Sequence, residues 1–415
     1  MTTNVRIDLS RLLSRLEALA AINPLPPTGS CRLALTDEDK AGRDLLVGWL
    51  RNAGLQVRID QLGNIFGIMA GEDESLAPVM SGSHIDTVAT GGRYDGALGV
   101  IAALETVETL QEAGLRPRRS IVVAAFSNEE GARFAPDMLG SLAYVGGLSV
   151  EDARATRGID GASYGAELDR IGYAGTMEVG AIRPAAYVEL HIEQGPVLDA
   201  EGVAIGAVEN LQGISWREIT IEGQANHAGT TPIAMRHDAG LAAAEIAVFL
   251  RQLAHEIGGG QVATVGRIEL SPNLINVVPG RAVLTVDLRN PVESRLQEAE
   301  RKLEHFLEMI AARENVRITQ RILARFEPVA FDHRIVELIE AGADSMGLKH
   351  RRMTSGAGHD AQMLARICPT AMIFVPSIRG ISHNPEEETA PAHIEAGANV
   401  LLQTLLTLAN DGAVR

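Results

Sequence analysis

Ile121-Val122-Val123-Ala124-Ala125-Phe126, followed at once by Ser127-Asn128-Glu129-Glu130-Gly131, is the stretch on which the reading of this chain turns. Six apolar residues without alternation leave no face for water, so the strand they form is covered on both sides, as in a largely parallel sheet between helices. The two carboxylates directly after it need a reason to stand together, because neighbouring anions at a sheet edge repel. Either they begin the next helix, whose dipole favours anions, or one holds a cation while the other moves a proton. Taken alone, the motif favours the helix cap.

Outward from this strand the chain alternates. Residues 36–50 read as a helix capped by Thr36 ahead of Asp37, Glu38 and Asp39, and Gly54 stops it. Strand-type runs follow at 55–59, 64–70 and 78–83, then a helix at 97–112. That order is α/β, which places catalytic groups at strand ends. Between Gly213 and Gln320 the style changes: a strand at 214–222, a helix at 235–257, strands at 262–270 and 282–288, a helix at 292–312 and a strand at 316–322. This is β-α-β-β-α-β, the ferredoxin-like arrangement. After Pro328 the α/β style resumes, with a helix at 334–346, a strand at 370–375 and a last helix from Ala392. The expected organisation is therefore a discontinuous domain of residues 1–212 and 330–415, with 213–329 inserted.

At 415 residues the chain is long for one domain, which agrees with two units. Lys plus Arg number 37 against 53 Asp plus Glu, a net −16 that repels phosphate backbones and argues against nucleic acid. Cys31 and Cys368 are too few for a disulfide framework or a thiolate zinc site, so a reducing compartment is expected. The N-terminus carries Leu12, Leu16 and Leu19 at helical spacing among charges, unlike a signal peptide. No run reaches the roughly 20 apolar residues that span a bilayer. A cytoplasmic protein without membrane partners is the expectation.

Three more strand ends carry metal-type ligands. Ser83-His84-Ile85-Asp86 leads into Gly91-Gly92-Arg93-Tyr94-Asp95-Gly96; Val188-Glu189-Leu190-His191-Ile192-Glu193-Gln194-Gly195-Pro196 ends another apolar run; Gly380-Ile381-Ser382-His383-Asn384-Pro385 follows Met372-Ile373-Phe374-Val375. Each alone is weak, since His-x-Asp is short and a lone strand-end histidine is usually structural. Together His84, Asp95, Glu130, His191 and His383 suit two tetrahedral ions bridged by Asp95 and a water, with Asp86 orienting the His84 ring.

Over nearly its whole length the sequence resembles the dinuclear-zinc aminoacylase and carboxypeptidase superfamily, and within it the hydantoinase/carbamoylase amidases, which include N-carbamoyl-L-amino acid hydrolases and allantoate amidohydrolases. Gly82-Ser83-His84-Ile85-Asp86-Thr87, Asn128-Glu129-Glu130-Gly131-Ala132-Arg133-Phe134, Glu189 through Gly195 and Gly380 through Pro385 carry the resemblance. The peptidase branches usually place a carboxylate where His191 stands, which favours the amidases. The resemblance implies a metallopeptidase-like α/β catalytic domain, its mostly parallel sheet between helices, with an inserted ferredoxin-like lid and dimerisation domain. It also implies two divalent ions, zinc first, then manganese, cobalt or nickel. His84 and His191 would hold one, Glu130 and His383 the other, and Asp95 both.

In that family Glu129 would be the general base, acting on a water between the ions. His227, in Asn226-His227-Ala228-Gly229-Thr230-Thr231-Pro232, would stabilise the oxyanion, often across a dimer; its plain alternative is a loop histidine. Asn276 and Arg289 resemble a substrate clamp, a guanidinium gripping a carboxylate through two hydrogen bonds; Arg289 also reads as a surface ion pair. Gln194, Gly358 and His359 would line the pocket, although His359-Asp360 reads equally as a helix cap. The implied substrate is an N-carbamoyl-L-amino acid, with allantoate and N-carbamoyl-β-alanine next and peptides or N-acyl amino acids behind. Trp216-Arg217 is mixed evidence: a basic residue such as Arg217 in substrate contact suits allantoate enzymes, an aromatic one carbamoylases. Gly356 to Gln362 leans towards allantoate. A homodimer through the inserted domain is expected.

Overall fold

Strand Ile121–Phe126 lies beside Val79–His84 in parallel, with Phe126 opposite His84. In this computed structural model, which describes residues 5–411, Val79–His84 in turn runs parallel to Ala186–Ile192, and that strand parallel to Thr370–Val375. All four are buried at every position, including the polar Ser81, Ser83 and Glu189 that two of them carry. Antiparallel strands complete the sheet: Ile65–Met69 and Gln56–Ile59 beyond Ile121–Phe126, and Ile205–Leu211 beyond Thr370–Val375, with His350–Ser355 pairing Ile205–Leu211. Four adjacent strands thus point the same way, and their carboxyl ends share one edge.

Parallel neighbours need crossovers. The first is helix Ala97–Glu112, buried almost all round between Val79–His84 and Ile121–Phe126. Its closeness to the sheet depends on missing side chains, since a Cβ on Gly99 would lie 2.5 Å from the Leu190 carbonyl. Helix Asp37–Asn52 begins where its cap predicts: Thr36 Oγ1 accepts from the Asp39 N–H at 3.3 Å, and Asp39 returns a bond to the Leu35 N–H at 2.8 Å. Helix Leu9–Ala20 buries Leu12, Leu16 and Leu19.

The chain divides into two units, one running to Glu209 and resuming at Phe331, the other Asn210–Ala330. Phe331 N donates to Glu209 O at 3.0 Å, so the chain leaves and re-enters the first unit at adjacent residues. The second unit carries a four-stranded antiparallel sheet in the order Val262–Ser271, Arg281–Asn290, Gly213–Glu222, Arg317–Phe326. With helices Ala239–Ile257 and Glu293–Glu314 between strands, this is the β-α-β-β-α-β order, and its core joins Ile219, Ile221, Leu284 and Val286 to Ile246, Leu250, Leu303 and Leu307.

Two boundaries differ most from the sequence reading, and one is the strand expected to end at 322, which runs on to Phe326. The helix expected from Met235 begins at Ala239, because Asp238 accepts from the Leu241 N–H at 2.9 Å and fixes the first turn there. Ile233–Met235 is a separate 3₁₀ turn. Among the described residues no helix is long and apolar enough to cross a membrane.

Candidate metal centre

The shared carboxyl edge of the four parallel strands gathers the expected ligands. His84 ends one strand, Glu129 and Glu130 follow the second, His191 lies near the end of the third, and His383 follows the fourth. Asp95 comes from the turn before helix Ala97–Glu112. Ligand atoms of His84, Asp95 and His191 all lie within 4.8 Å of one another, and so do those of Asp95, Glu130 and His383. Asp95 belongs to both sets. Its Oδ1 is 3.2 Å from His191 Nε2 and 3.7 Å from His84 Nε2, while Oδ2 is 3.3 Å from His383 Nε2.

The two buried imidazoles are oriented from behind. His84 Nδ1 is 2.9 Å from the Asp86 carbonyl and His191 Nδ1 is 2.8 Å from the Ile192 carbonyl. A carbonyl only accepts, so each proton sits on Nδ1 and each Nε2 lone pair faces Asp95. The ring-orienting group expected from Asp86 is thus its backbone oxygen; the carboxylate lies 3.9 Å from Nδ1. That carboxylate accepts instead from the N–H groups of Glu129 at 3.2 Å and Glu130 at 3.3 Å, which fixes the two-glutamate turn. The helix-cap reading of that pair has no helix to serve, since the next one is Leu139–Tyr144.

Burial pulls His84 down to about 4. Burial also opposes a charge on His191, yet Asp95 and Glu189 together more than offset it and lift the ring to about 9, so the spot demands positive charge. The Gly96 N–H also points at His191 Nε2, at 3.2 Å. Glu130 Oε1 is buried with no hydrogen-bond partner, and Glu130 Oε2 lies 3.4 Å from His383 Nε2. Orphaned oxygen, inward lone pairs and borderline nitrogen and oxygen donors fit a pair of divalent cations.

Around this cluster the cleft encloses about 130 Å³ and is lined by Gln194, Gly358 and His359 as well as Asp95, Glu129, Glu130, His191 and His383. Gln194 Nε2 donates to Asp95 Oδ2 at 2.9 Å. His359 precedes helix Asp360–Leu364, sits edge-on to His191 at 4.5 Å and bonds Ser355 Oγ at 3.1 Å. Burial and the like-charged neighbours Asp360 and Glu130 raise Glu129 well above the usual carboxylate range. Gln194 and His383 hold positive φ, 57° and 52°, a costly backbone for non-glycine residues that active sites retain.

The remaining expected residues belong to the second unit. His227 is exposed, and its Nδ1 accepts from the N–H groups of Gly229 at 3.0 Å and Thr230 at 3.2 Å, leaving Nε2–H as a donor. Asn276 is exposed, with its carbonyl bonded by the Ala228 N–H at 2.9 Å. Arg289 pairs with Asp287 at 2.9 Å and lies over the Trp216 ring at 5.9 Å. Arg217, expected in substrate contact, stands on the opposite face of its strand from Trp216. Strand alternation turns it away from Trp216 to the helix-covered face, where it is buried against Glu304 at 2.9 Å and Glu300 at 3.4 Å.

Two buried carboxylates of the first unit escaped the sequence reading. Glu189 accepts from Ser83 Oγ at 2.7 Å and the Ala361 N–H at 2.8 Å. Glu387 accepts from the N–H groups of Tyr94 at 3.0 Å and Asp95 at 3.1 Å, and from Ser382 Oγ at 2.9 Å. In sequence Glu386-Glu387-Glu388 looks like a solvated acidic run, and only folding buries its middle member.

The profile of Peptidase family M20/M25/M40 matches residues 80–407. The chain is 42% identical to an N-carbamoyl-L-amino-acid amidohydrolase of Rhizobium meliloti over 98% of each chain. It is 34% identical to an allantoate amidohydrolase of Bacillus subtilis over 95% of this chain and 96% of that one. A crystal structure of a hydantoinase/carbamoylase family amidase from Burkholderia multivorans superposes with a TM-score of 0.96 at 43% identity, covering 99% of this chain and all of that one.

Proposed function

This chain belongs to Peptidase family M20/M25/M40, among its hydantoinase/carbamoylase amidases, and from that premise we propose that it hydrolyses the C–N bond of an N-carbamoyl-L-amino acid, releasing ammonia, carbon dioxide and the amino acid. The observation that carries the reading is the pair of ligand triads sharing Asp95, with Glu129 beside them. His84, Asp95 and His191 would hold one divalent cation and Asp95, Glu130 and His383 another. Such ions supply Lewis acidity, lowering the pKa of an attacking water and polarising the ureido carbonyl.

Glu129 takes the proton from the attacking water and returns it to the leaving nitrogen. It stands 3.4 Å from His84 Nε2, at the edge of the cluster rather than outside the cleft, and its raised pKa suits a group that must hold a proton between two steps. His227 is a fixed Nε2–H donor for the oxyanion, and Arg289 with Asn276 grips the substrate carboxylate. A cleft of about 130 Å³ accepts a ureido head and little more. A homodimer through the second unit is part of the proposal; Ile233, Met235 and Ile275 there are strongly exposed in the single chain.

Allantoate is the second reading, supported by the relative of Bacillus subtilis; burial of Arg217 away from the open sheet face weighs against it. The test is ammonia release from N-carbamoyl-L-amino acids, allantoate and N-carbamoyl-β-alanine with added zinc, manganese, cobalt or nickel. Turnover of N-carbamoyl-L-amino acids is expected to lead. Turnover of peptides or N-acyl amino acids without ammonia would overturn the ureido reading.

A further inference from the structure

We propose that Glu387 is a positioning residue for Asp95, tying the Asp95 turn to the Ser382-His383 loop and thereby holding the two cation positions in register. The inference rests on the reading of Asp95 as shared ligand. Glu387 is completely buried, and its ordinary neighbours are wrong for an anion: Asp95 is close, and among the described residues no Lys or Arg side chain bonds it. Arg93, on the same turn as Asp95, is committed to Glu388 at 2.5 Å. Burying an unpaired carboxylate is costly, so its hydrogen bonds must carry the reason for keeping it.

Those bonds go to the two ligand loops. Oε1 accepts the backbone N–H groups of Tyr94 and Asp95, at 3.0 and 3.1 Å, and Oε2 meets Ser382 Oγ at 2.9 Å. Ser382 Oγ also lies 3.2 Å from Asp95 Oδ2, so the same bridge reaches the carboxylate that serves both triads. The turn is shaped to admit it: a Cβ on Gly92 would fall 2.1 Å from the Glu387 carboxyl carbon. The consequence is asymmetric. His84 and His191 sit on buried strands, whereas His383 is half exposed on a loop held to the Asp95 turn through Glu387, Ser382, the Glu388 contacts with Arg93 and Tyr94, and a bond from Thr90 Oγ1 to the His383 carbonyl at 3.0 Å.

Calorimetric titration of metal-stripped protein with manganese alone tests this. Wild type is expected to take two equivalents per chain. In Glu387→Ala one equivalent weakens by about 10- to 100-fold while the other stays near wild type, the loss typical of groups that orient ligands. Glu387→Gln restores it, because its carbonyl still accepts both backbone N–H groups and its amide still meets Ser382. Ser382→Ala, a gentler change, repeats the asymmetric loss if Glu387→Ala does not accumulate. Unchanged binding in Glu387→Ala, equal weakening of both equivalents alongside a lower Tm of the stripped protein, or equal losses in the Ala and Gln variants would each overturn the proposal. A wild type that binds fewer than two equivalents sinks the shared-ligand reading itself, and the proposal with it.

Discussion

At Glu129 the informative change is one that keeps shape and removes basicity. Glu129→Gln should cut turnover by about 10²- to 10⁴-fold, the usual worth of a positioned general base, while metal content stays that of wild type. Loss of metal would instead make Glu129 a ligand. His227 is fixed differently: with Nδ1 bonded by two backbone N–H groups, its proton is on Nε2 at any pH where the ring is neutral. His227→Ala should lower kcat by about 10²- to 10³-fold, the worth of one oxyanion donor, with Tm unchanged. A change confined to KM would assign it to substrate binding. Both residues became visible through the motifs that carry the resemblance, Asn128 to Phe134 and Asn226 to Pro232, since each residue alone reads more plainly as structural. The sequence hid what surrounds them, since the Asp86 backbone oxygen and the middle glutamate of an acidic run have no signature.

Elements explain why the cluster meets. The apolar runs at 121–126 and 370–375 were legible as strands because a buried parallel strand has no polar face to disguise it. Strand His350–Ser355 was not, since a charged, half-exposed edge strand reads like a loop. The start of helix Ala239–Ile257 was misjudged because apolar Ile233 and Met235 continue its pattern while the Asp238 cap overrides it. Arg217 shows the same limit: period-2 alternation assigns it a face, but only the packed helix tells which face is covered. Between strand and helix, Gly96 has φ 64°, and a Cβ there would lie 2.3 Å from His84 Cε1. Gly96→Ala should destabilise the fold by about 1–3 kcal/mol and displace the His84 ring, as overpacking does. Urea unfolding and metal analysis check it; a wild-type result in both would mean the turn yields freely.

For the whole molecule, the buried carboxylates of Asp95, Glu129, Glu130 and Glu387 repel one another unless positive charge lies among them. Removing metal with a chelator should therefore lower Tm by about 5 °C or more, since ligands present at 100 times their Kd stabilise by about 2.7 kcal/mol. An unchanged Tm would mean that the folded state holds no ion. The last consequence concerns the seam at Glu209 and Phe331, whose backbones are joined by one hydrogen bond. A polypeptide that exits and returns through the same doorway can exchange everything beyond it without rethreading the sheet. On the proposed roles His227, Asn276 and Arg289 travel together in that exchangeable cassette, and grafting a relative's segment between these residues should transplant substrate preference while the five ligands and Glu129 stay in place.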